Sequence, residues 1–206
     1  MTKRLFDVFF AALGLLMLAP LFVVVAVVIQ LDSKGPVFFK QERVGNGFRP
    51  FFIYKFRTMV QDAPQKAAPI TVGRDPRITR VGRMLRSLKI DELPQFINVL
   101  KGEMSLVGPR PEVRAYVEMF RQDYEEILKI RPGITDLASL KYRNEAEVLA
   151  GYENAGEEYI RLVLPDKIRL AKEYMRRSSI FFDLTLIFKT LLKLVRWNTG
   201  FGWRNL

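Results

Sequence analysis

An adjacent pair of carboxylates, Asp91 and Glu92, follows an arginine-rich stretch in a chain of 206 residues that has neither histidine nor cysteine. Those absences remove an imidazole base, a Ser-His-Asp triad, a thiolate nucleophile and a thiolate metal site. If the chain does chemistry, most of it is expected to fall to carboxylates, acting with a hard, oxygen-preferring cation. Asp91 reads in two ways. Asp is a favoured helix N-cap and Glu in the next position suits the helix dipole, so the start of a helix accounts for the pair. The same geometry serves catalysis. Free N–H groups at a helix N-terminus would hold the aspartate ionised and attract a phosphate, and an ionised Asp facing phosphorus is the nucleophile of covalent phosphoryl transfer. Glu92 would then hold a divalent cation that neutralises phosphate charge.

Cations surround the pair. Arg74, Arg77, Arg80, Arg83, Arg86 and Lys89 recur at a spacing of three. A stride of three drifts around a helix, so these side chains do not all reach one ligand, and a solvated basic face accounts for such a run equally well. Arg83 and Arg86, nearest to the carboxylates, are the better phosphate-binding candidates. In Gly108-Pro109-Arg110-Pro111 two prolines fix the backbone around Arg110, which leaves its guanidinium less entropy to lose on binding. Lys55 and Arg57 in Lys55-Phe56-Arg57-Thr58-Met59, and Arg143 in Lys141-Tyr142-Arg143-Asn144, add further cations beside aromatic or amide groups.

The elements that must position these residues follow from pattern. Gly35-Pro36 opens a β region, and Asn46-Gly47 between aromatic and β-branched runs predicts a hairpin ending near Phe56. Gln61 to Arg74 reads as a loop. Thr79 is a candidate N-cap, and a second helix is expected to begin near Asp91, with Pro94 in its first turn and Gly102 at its end. Glu112 to Ile130 reads as one long helix stopped by Arg131-Pro132-Gly133, and Glu157 to Ser178 as another.

Two segments read as membrane elements. Val8 to Ile29 carries no charged side chain and as a helix spans ~33 Å, enough for a bilayer core. Pro20 near its middle predicts a kink, and Lys or Arg flanks both ends: Lys3 and Arg4 before, Lys34, Lys40 and Arg43 after. Cytoplasmic flanks carry such charge, so a helix–break–helix that enters and returns satisfies both observations, with a single kinked span as the alternative. Near the C-terminus, Ile180 to Trp197 places Ile180, Phe181, Leu184, Ile187, Phe188, Leu191, Leu192, Leu194 and Val195 on one arc and Asp183, Thr185, Lys189, Thr190, Lys193 and Arg196 on the other, with Phe182 and Leu186 as exceptions. That pattern, closed by Trp197 and Trp203, suits an interfacial helix and also a helix packed on the core.

The formal charge of +11, from 33 Lys and Arg against 22 Asp and Glu, points to a polyanionic partner: nucleic acid, anionic lipid or a phosphorylated small molecule. No helix-turn-helix, zinc or aromatic-ladder signature favours nucleic acid, so a membrane-tethered nucleic-acid-binding protein and a non-catalytic scaffold stand only as alternatives.

Taken together, the motifs resemble the small monotopic phosphoglycosyl transferases of bacteria, which are polyprenyl-phosphate sugar-1-phosphate transferases. The matching segments are Lys55-Phe56-Arg57-Thr58-Met59, Asp75 to Gly82, Ile90-Asp91-Glu92-Leu93-Pro94-Gln95, Met104 to Pro111 and Arg131-Pro132-Gly133-Ile134-Thr135. The resemblance implies transfer of a sugar 1-phosphate from a UDP-sugar to undecaprenyl phosphate with release of UMP, through a phosphosugar-aspartate, as the first membrane step of glycoconjugate synthesis. It implies that Asp91 is the nucleophile, that Glu92 is the carboxylate on the Mg2+ side, and that Arg110 binds the donor phosphates. Lys55, Arg57, Arg86 and Arg143 are expected to join in substrate binding. The implied location is the cytoplasmic face of the bacterial inner membrane, with membrane lipids as partners, no nucleic acid, and a homodimer left open. The expected fold is α+β and mostly helical. A re-entrant membrane helix occupies residues 1–34, and a small hairpin and a cytosolic helical catalytic domain occupy residues 35–206, with an interfacial helix at 180–197. Two departures stand out: Ala19-Pro20 in place of Ser-Pro at the membrane break, and Asp136, Ser139 and Lys141 to Asn144 after the Arg-Pro-Gly-Ile-Thr run. They leave the sugar open.

Overall fold

In the computed structural model, which describes residues 2–61, 75–143 and 145–198 (for 147 and 195–198 the backbone alone), helix α1 (Thr2–Asp32) runs without interruption and contains Pro20. The helix–break–helix expected from Pro20 is therefore absent from the secondary structure. One lost donor does not stop propagation when apolar, helix-compatible residues follow on both sides. The helix is ~46 Å long and is long and apolar enough to cross a membrane. Apart from Thr2 and Gln30, its exposed side chains are apolar, among them Leu5, Leu16, Met17, Val24 and Leu31.

Both ends of α1 are nevertheless tied to one body. At the start, Lys3 pairs with buried Asp183, Arg4 donates to the carbonyls of Val99 (2.7 Å) and Leu100 (3.2 Å), and buried Asp7 accepts from Ser105 Oγ (2.8 Å) and the Leu106 amide (3.1 Å). At the far end, Arg57 donates to the carbonyls of Ser33 (2.6 Å) and Lys34 (2.5 Å), capping the helix. Between these ties a stripe at helical spacing, Asp7, Ala11, Val25 and Ile29, is buried against the body.

The hairpin is present. Strands β1 (Phe38–Val44) and β2 (Pro50–Phe56) pair antiparallel, Phe38 opposite Phe56 and Val44 opposite Pro50. The turn is longer than a two-residue Asn-Gly loop: Asn46–Phe48 forms a 3-10 turn whose Asn46 side chain and Gly47 amide both donate to the Leu128 carbonyl, at 2.9 and 2.8 Å. Helix α2 (Arg80–Ser87) starts on the expected cap, with Thr79 Oγ1 accepting from the Gly82 amide at 2.9 Å. Helix α3 (Gln95–Lys101) ends at Gly102 in the left-handed region, also as expected.

A parallel two-stranded sheet joins β3 (Ser105–Val107) to β4 (Gly133–Thr135). Between them, the single helix expected over Glu112 to Ile130 is two, α4 (Arg114–Met119) and α5 (Arg121–Ile127), because Phe120 takes φ −117°, ψ 39° and breaks the ladder. Short helices α6 (Leu137–Lys141), α7 (Glu145–Leu149) and α8 (Ala155–Glu158) lead to a π-helical turn at Tyr159–Val163 and then to α9 (Leu164–Arg177) and α10 (Ile180–Asn198). The α+β, mostly helical class holds, with two small sheets.

Three apolar clusters form the interior. One joins α5, α9 and Val44; a second joins Ala11 of α1 to β2, α3, β3, Tyr174 and Leu186; the third joins Val25 and Ile29 of α1 to Phe56 and Leu85. The membrane-type helix thus contributes to two of the three. In α10 the two residues that broke the amphipathic pattern face the body, together with Ile187: Leu186 is buried, and Phe182 and Ile187 pack on the second cluster. Asp183 is buried with them, and Phe181, Leu184, Phe188 and Leu191 are exposed. The loop expected after Gln61, Arg74, Asn144, Trp203 and the Trp197 side chain lie outside the described residues.

Candidate active site

The hairpin, α2, the turn before α3 and the turn after β3 converge on the carboxylate pair. Lys55 is brought in by the last turn of β2, whose neighbours Ile53 and Phe56 are buried and fix the strand. Helix α2 lies flush on the chain just beyond. A Cβ at Gly82 would stand 2.1 Å from the Thr58 carbonyl oxygen, which also accepts from the Thr79 amide at 3.1 Å. This contact lets Arg86, one turn on, donate from Nε to Thr58 Oγ1 at 2.8 Å. Gly82→Ala is expected to cost about 1–3 kcal/mol, because the opposing atom is backbone and cannot move aside. Thermal unfolding of the reconstituted protein checks it, and an unchanged midpoint would mean that the contact is not required.

Helix α2 stops at Lys89, a non-glycine residue at φ +57°, and the chain enters a 3-10 turn, Ile90–Glu92. A residue held in this left-handed region costs about 1 kcal/mol and persists where the surroundings impose it. Asp91 and Glu92 are buried inside that turn, and α3 begins only at Gln95. The expected N-cap geometry is thereby overturned: no hydrogen bond reaches Asp91 Oδ1, which is buried without a partner. Burial, reinforced by the neighbouring Glu92 charge, pushes the Asp91 carboxyl above its usual range, against the pull of Lys55, Lys89 and Arg86.

Glu92 is the opposite case. Its Oε1 accepts from Lys55 Nζ at 2.9 Å and from Arg110 Nη2 at 2.5 Å, and its Oε2 accepts from Arg110 Nη1 at 3.3 Å. Burial alone would raise its carboxyl, but Arg110 and then Lys55 overcome it and hold it well below the usual range. The forked Arg110 contact is the bidentate geometry that distinguishes arginine from lysine. Burial in turn lowers the Lys55 ammonium, with Glu92 opposing.

Arg110 is held from behind as well as in front. Its amide donates to Asp136 Oδ2 at 3.2 Å, and the other oxygen of Asp136 caps α6 through the Ser139 amide at 2.6 Å. The Pro109 carbonyl accepts from Gly133 at 2.9 Å, and a Cβ at Gly133 would fall 2.0 Å from the Gly108 nitrogen, so only glycine lets the two turns meet.

The structure brings Asp91, Glu92, Lys55, Arg86 and Arg110 together. Arg57 does not join them; its guanidinium serves the C-terminus of α1. Arg143 lies at the rim, where Nη2 donates to the Ser87 carbonyl at 3.4 Å. Arg83 turns back to the Ile78 carbonyl at 3.2 Å. Thr58 and Asp136 were missed as supports. Thr58 sits inside a motif already singled out, whereas Asp136 is 26 residues from the arginine whose backbone it holds, and sequence carried no sign of that link.

For a divalent cation, no group of three or more acidic side chains exists among the described residues. Mg2+ ordinarily takes one or two carboxylates and completes its octahedron with water and substrate phosphates, so the pair fits it. Both Glu92 oxygens already accept from cations, and the carboxylate oxygen with lone pairs to spare is Asp91 Oδ1.

The site is thus a buried dyad of one unpartnered and one cation-clamped carboxylate, built on short helices beside a long apolar helix. The chain belongs to the bacterial sugar transferase family, whose model it matches over residues 1–197. It is 42% identical to the UDP-N-acetylgalactosamine-undecaprenyl-phosphate N-acetylgalactosaminephosphotransferase of Aeromonas hydrophila, over 98% of this chain and 45% of that protein. It is 38% identical to the UDP-glucose:undecaprenyl-phosphate glucose-1-phosphate transferase of Escherichia coli, over 93% of this chain and 39% of that protein. It is 33% identical to the exopolysaccharide production protein ExoY of Rhizobium meliloti, over 93% and 84%. The chain thus spans less than half the length of the first two.

Proposed function

We propose that this chain transfers a sugar 1-phosphate from a UDP-sugar to undecaprenyl phosphate, with release of UMP, as a step of bacterial glycoconjugate synthesis. The observation that carries the reading is the unpartnered, buried Asp91 Oδ1 beside a Glu92 clamped by Lys55 and Arg110. Asp91 attacks the sugar-linked phosphorus; its oxygen forms a P–O bond as the bond to UMP breaks, and a phosphosugar-aspartate remains. A phosphate oxygen of undecaprenyl phosphate then attacks the same phosphorus, and the Asp91 carboxylate leaves unchanged. Desolvation favours attack because the nucleophile has no hydration shell to shed. Lys55 and Arg110 offset charge on the phosphates, and Glu92 holds both in orientation. Asp91 or Glu92 would hold Mg2+, which would supply further charge neutralisation.

The reading extends to the bilayer. Both ends of α1 are tied to one body, and basic residues flank both, which supports an unbroken α1 bent at Pro20, its middle dipping into the cytoplasmic leaflet and both ends on one side. The exposed arc Phe181, Leu184, Phe188 and Leu191 of α10 supports a second, interfacial contact. A body held at the headgroup plane meets a lipid phosphate confined to the membrane and a nucleotide sugar confined to water.

The test is UMP release by the chain in lipid nanodiscs with Mg2+, across a panel of UDP-sugars, with and without undecaprenyl phosphate. Sustained release with acceptor is expected. With donor alone, a phosphosugar adduct on Asp91 is expected by mass spectrometry. Absence of UMP from every donor with acceptor present would overturn the assignment.

A further inference from the structure

A second buried charge network lies behind the carboxylate pair and contains none of the residues assigned above. Glu112, directly after the Pro109-Arg110-Pro111 turn, is buried; its Oε1 accepts from Tyr159 Oη at 2.7 Å, and its backbone carbonyl accepts from the Val44 amide at 3.0 Å. Lys167, buried in the first turn of α9, donates to the same Tyr159 oxygen at 3.1 Å, stands 3.8 Å from Glu112 Oε1, and pairs with Glu145. Lys167 and Arg110 line one small cavity together with Glu112 and Asp136.

The two carboxylates that Lys167 joins sit on different segments. Glu112 is two residues from Arg110, the cation that clamps Glu92, and Glu145 is two residues from Arg143, the cation at the rim. The neighbouring Asp166 holds the same rim segment, accepting from Lys141 Nζ at 2.8 Å and Tyr142 Oη at 2.7 Å. The π-helical turn just before α9 presents Tyr159 to this network, and such turns insert one residue to re-aim side chains. A buried lysine costs desolvation that a structural role alone meets poorly, since apolar replacements of such pairs are often as stable. We infer that Lys167 is a positioning residue that locks the Arg143 segment to the Arg110 turn, and so sets the spacing of two cations on the donor's diphosphate.

This inference rests on the proposed function for its substrate, and it predicts a pattern that mere destabilisation does not. Spacing of two binding cations acts on ground and transition states alike, so it appears in KM and not in kcat. In nanodiscs with saturating undecaprenyl phosphate, UDP-glucose and UDP-N-acetylgalactosamine are the donors, and UDP affinity is measured on the same proteins. Lys167→Met is expected to raise the donor KM and weaken UDP by about tenfold, with kcat within about twofold and the KM for the lipid unchanged. Glu145→Gln is expected to move the same quantities, and it carries the test if Lys167→Met does not fold. Lys167→Arg, which still spans two carboxylates, is expected to restore most of the loss. Because Lys167 acts through Arg143, Arg143→Ala added to Lys167→Met is expected to cost less than about twofold more. Folded variants with KM and UDP affinity near wild type, or Arg143 and Lys167 effects that multiply, would overturn the inference. Failure of the wild type to turn over any UDP-sugar would instead overturn the functional reading, and UDP binding would still test the tie.

Discussion

Asp91→Asn is expected to lower UMP release on the order of 10⁴-fold or more while leaving the protein folded. Asn keeps the shape and removes the nucleophilic charge, and losses of this order accompany removal of a nucleophile. The stability side of the prediction is what makes it specific. The folded-state pKa of Asp91 lies above its unfolded value, so its proton is bound more tightly in the folded protein. That contribution is present at acid pH and is lost as pH rises through the raised value. At neutral pH the ionised, buried carboxylate therefore opposes folding, and Asp91→Asn is expected to match or exceed the wild-type melting temperature. Lost turnover with a stable fold marks a residue kept for chemistry. Turnover within about tenfold of wild type would remove Asp91 as the nucleophile, and lost turnover with lost folding would make it a structural residue.

The second large effect is expected at Arg110. Arg110→Met leaves Glu92 buried with Lys55 alone, which is expected to cost about 2–3 kcal/mol, below the full cost of breaking a buried pair. The discount reflects the 29% of the Arg110 side chain that reaches solvent. Transfer is expected to fall by about 10²–10³, the usual loss for one oriented cation or donor on developing charge. Arg110→Lys restores charge without the fork and is expected to fall between. The pH dependence runs opposite to that of Asp91. Glu92 has a depressed folded-state pKa, so its stabilisation is present above the ordinary carboxylate value and lost as pH falls through the depressed one. The stability gap between wild type and Arg110→Met is therefore greatest at neutral pH and narrows on acidification below about pH 4. Chemical denaturation across that range measures it, and a gap independent of pH would mean that Arg110 acts by packing and not through Glu92.

Much of the site was legible because its residues belong to short motifs. Asp91 and Glu92 are adjacent, Lys55 and Thr58 share one segment, and Arg110 is framed by prolines. Local signals also located the hairpin, the Thr79 cap and the Gly102 stop. Reading failed where long-range contacts overrule local preference. Asp91 is a good N-cap by composition, yet Lys89 in the left-handed region turns it inward toward Lys55 of β2 and Arg86 of α2. Arg57 looked like a phosphate ligand beside Lys55. Strand β2 ends at Phe56, so alternation no longer keeps Arg57 on the face of Lys55, and the carbonyls of Ser33 and Lys34 claim its guanidinium.

The sequence by itself pointed to carboxylates for the chemistry, because histidine and cysteine are absent, and determined that one long apolar helix accompanies them. Only the tertiary structure decided which carboxylate is free and which is clamped. The two are adjacent and chemically alike, and their difference comes from where the folded chain places Lys55 and Arg110. The opposite shifts follow from desolvation in one case and from charge pairing at 2.5–2.9 Å in the other.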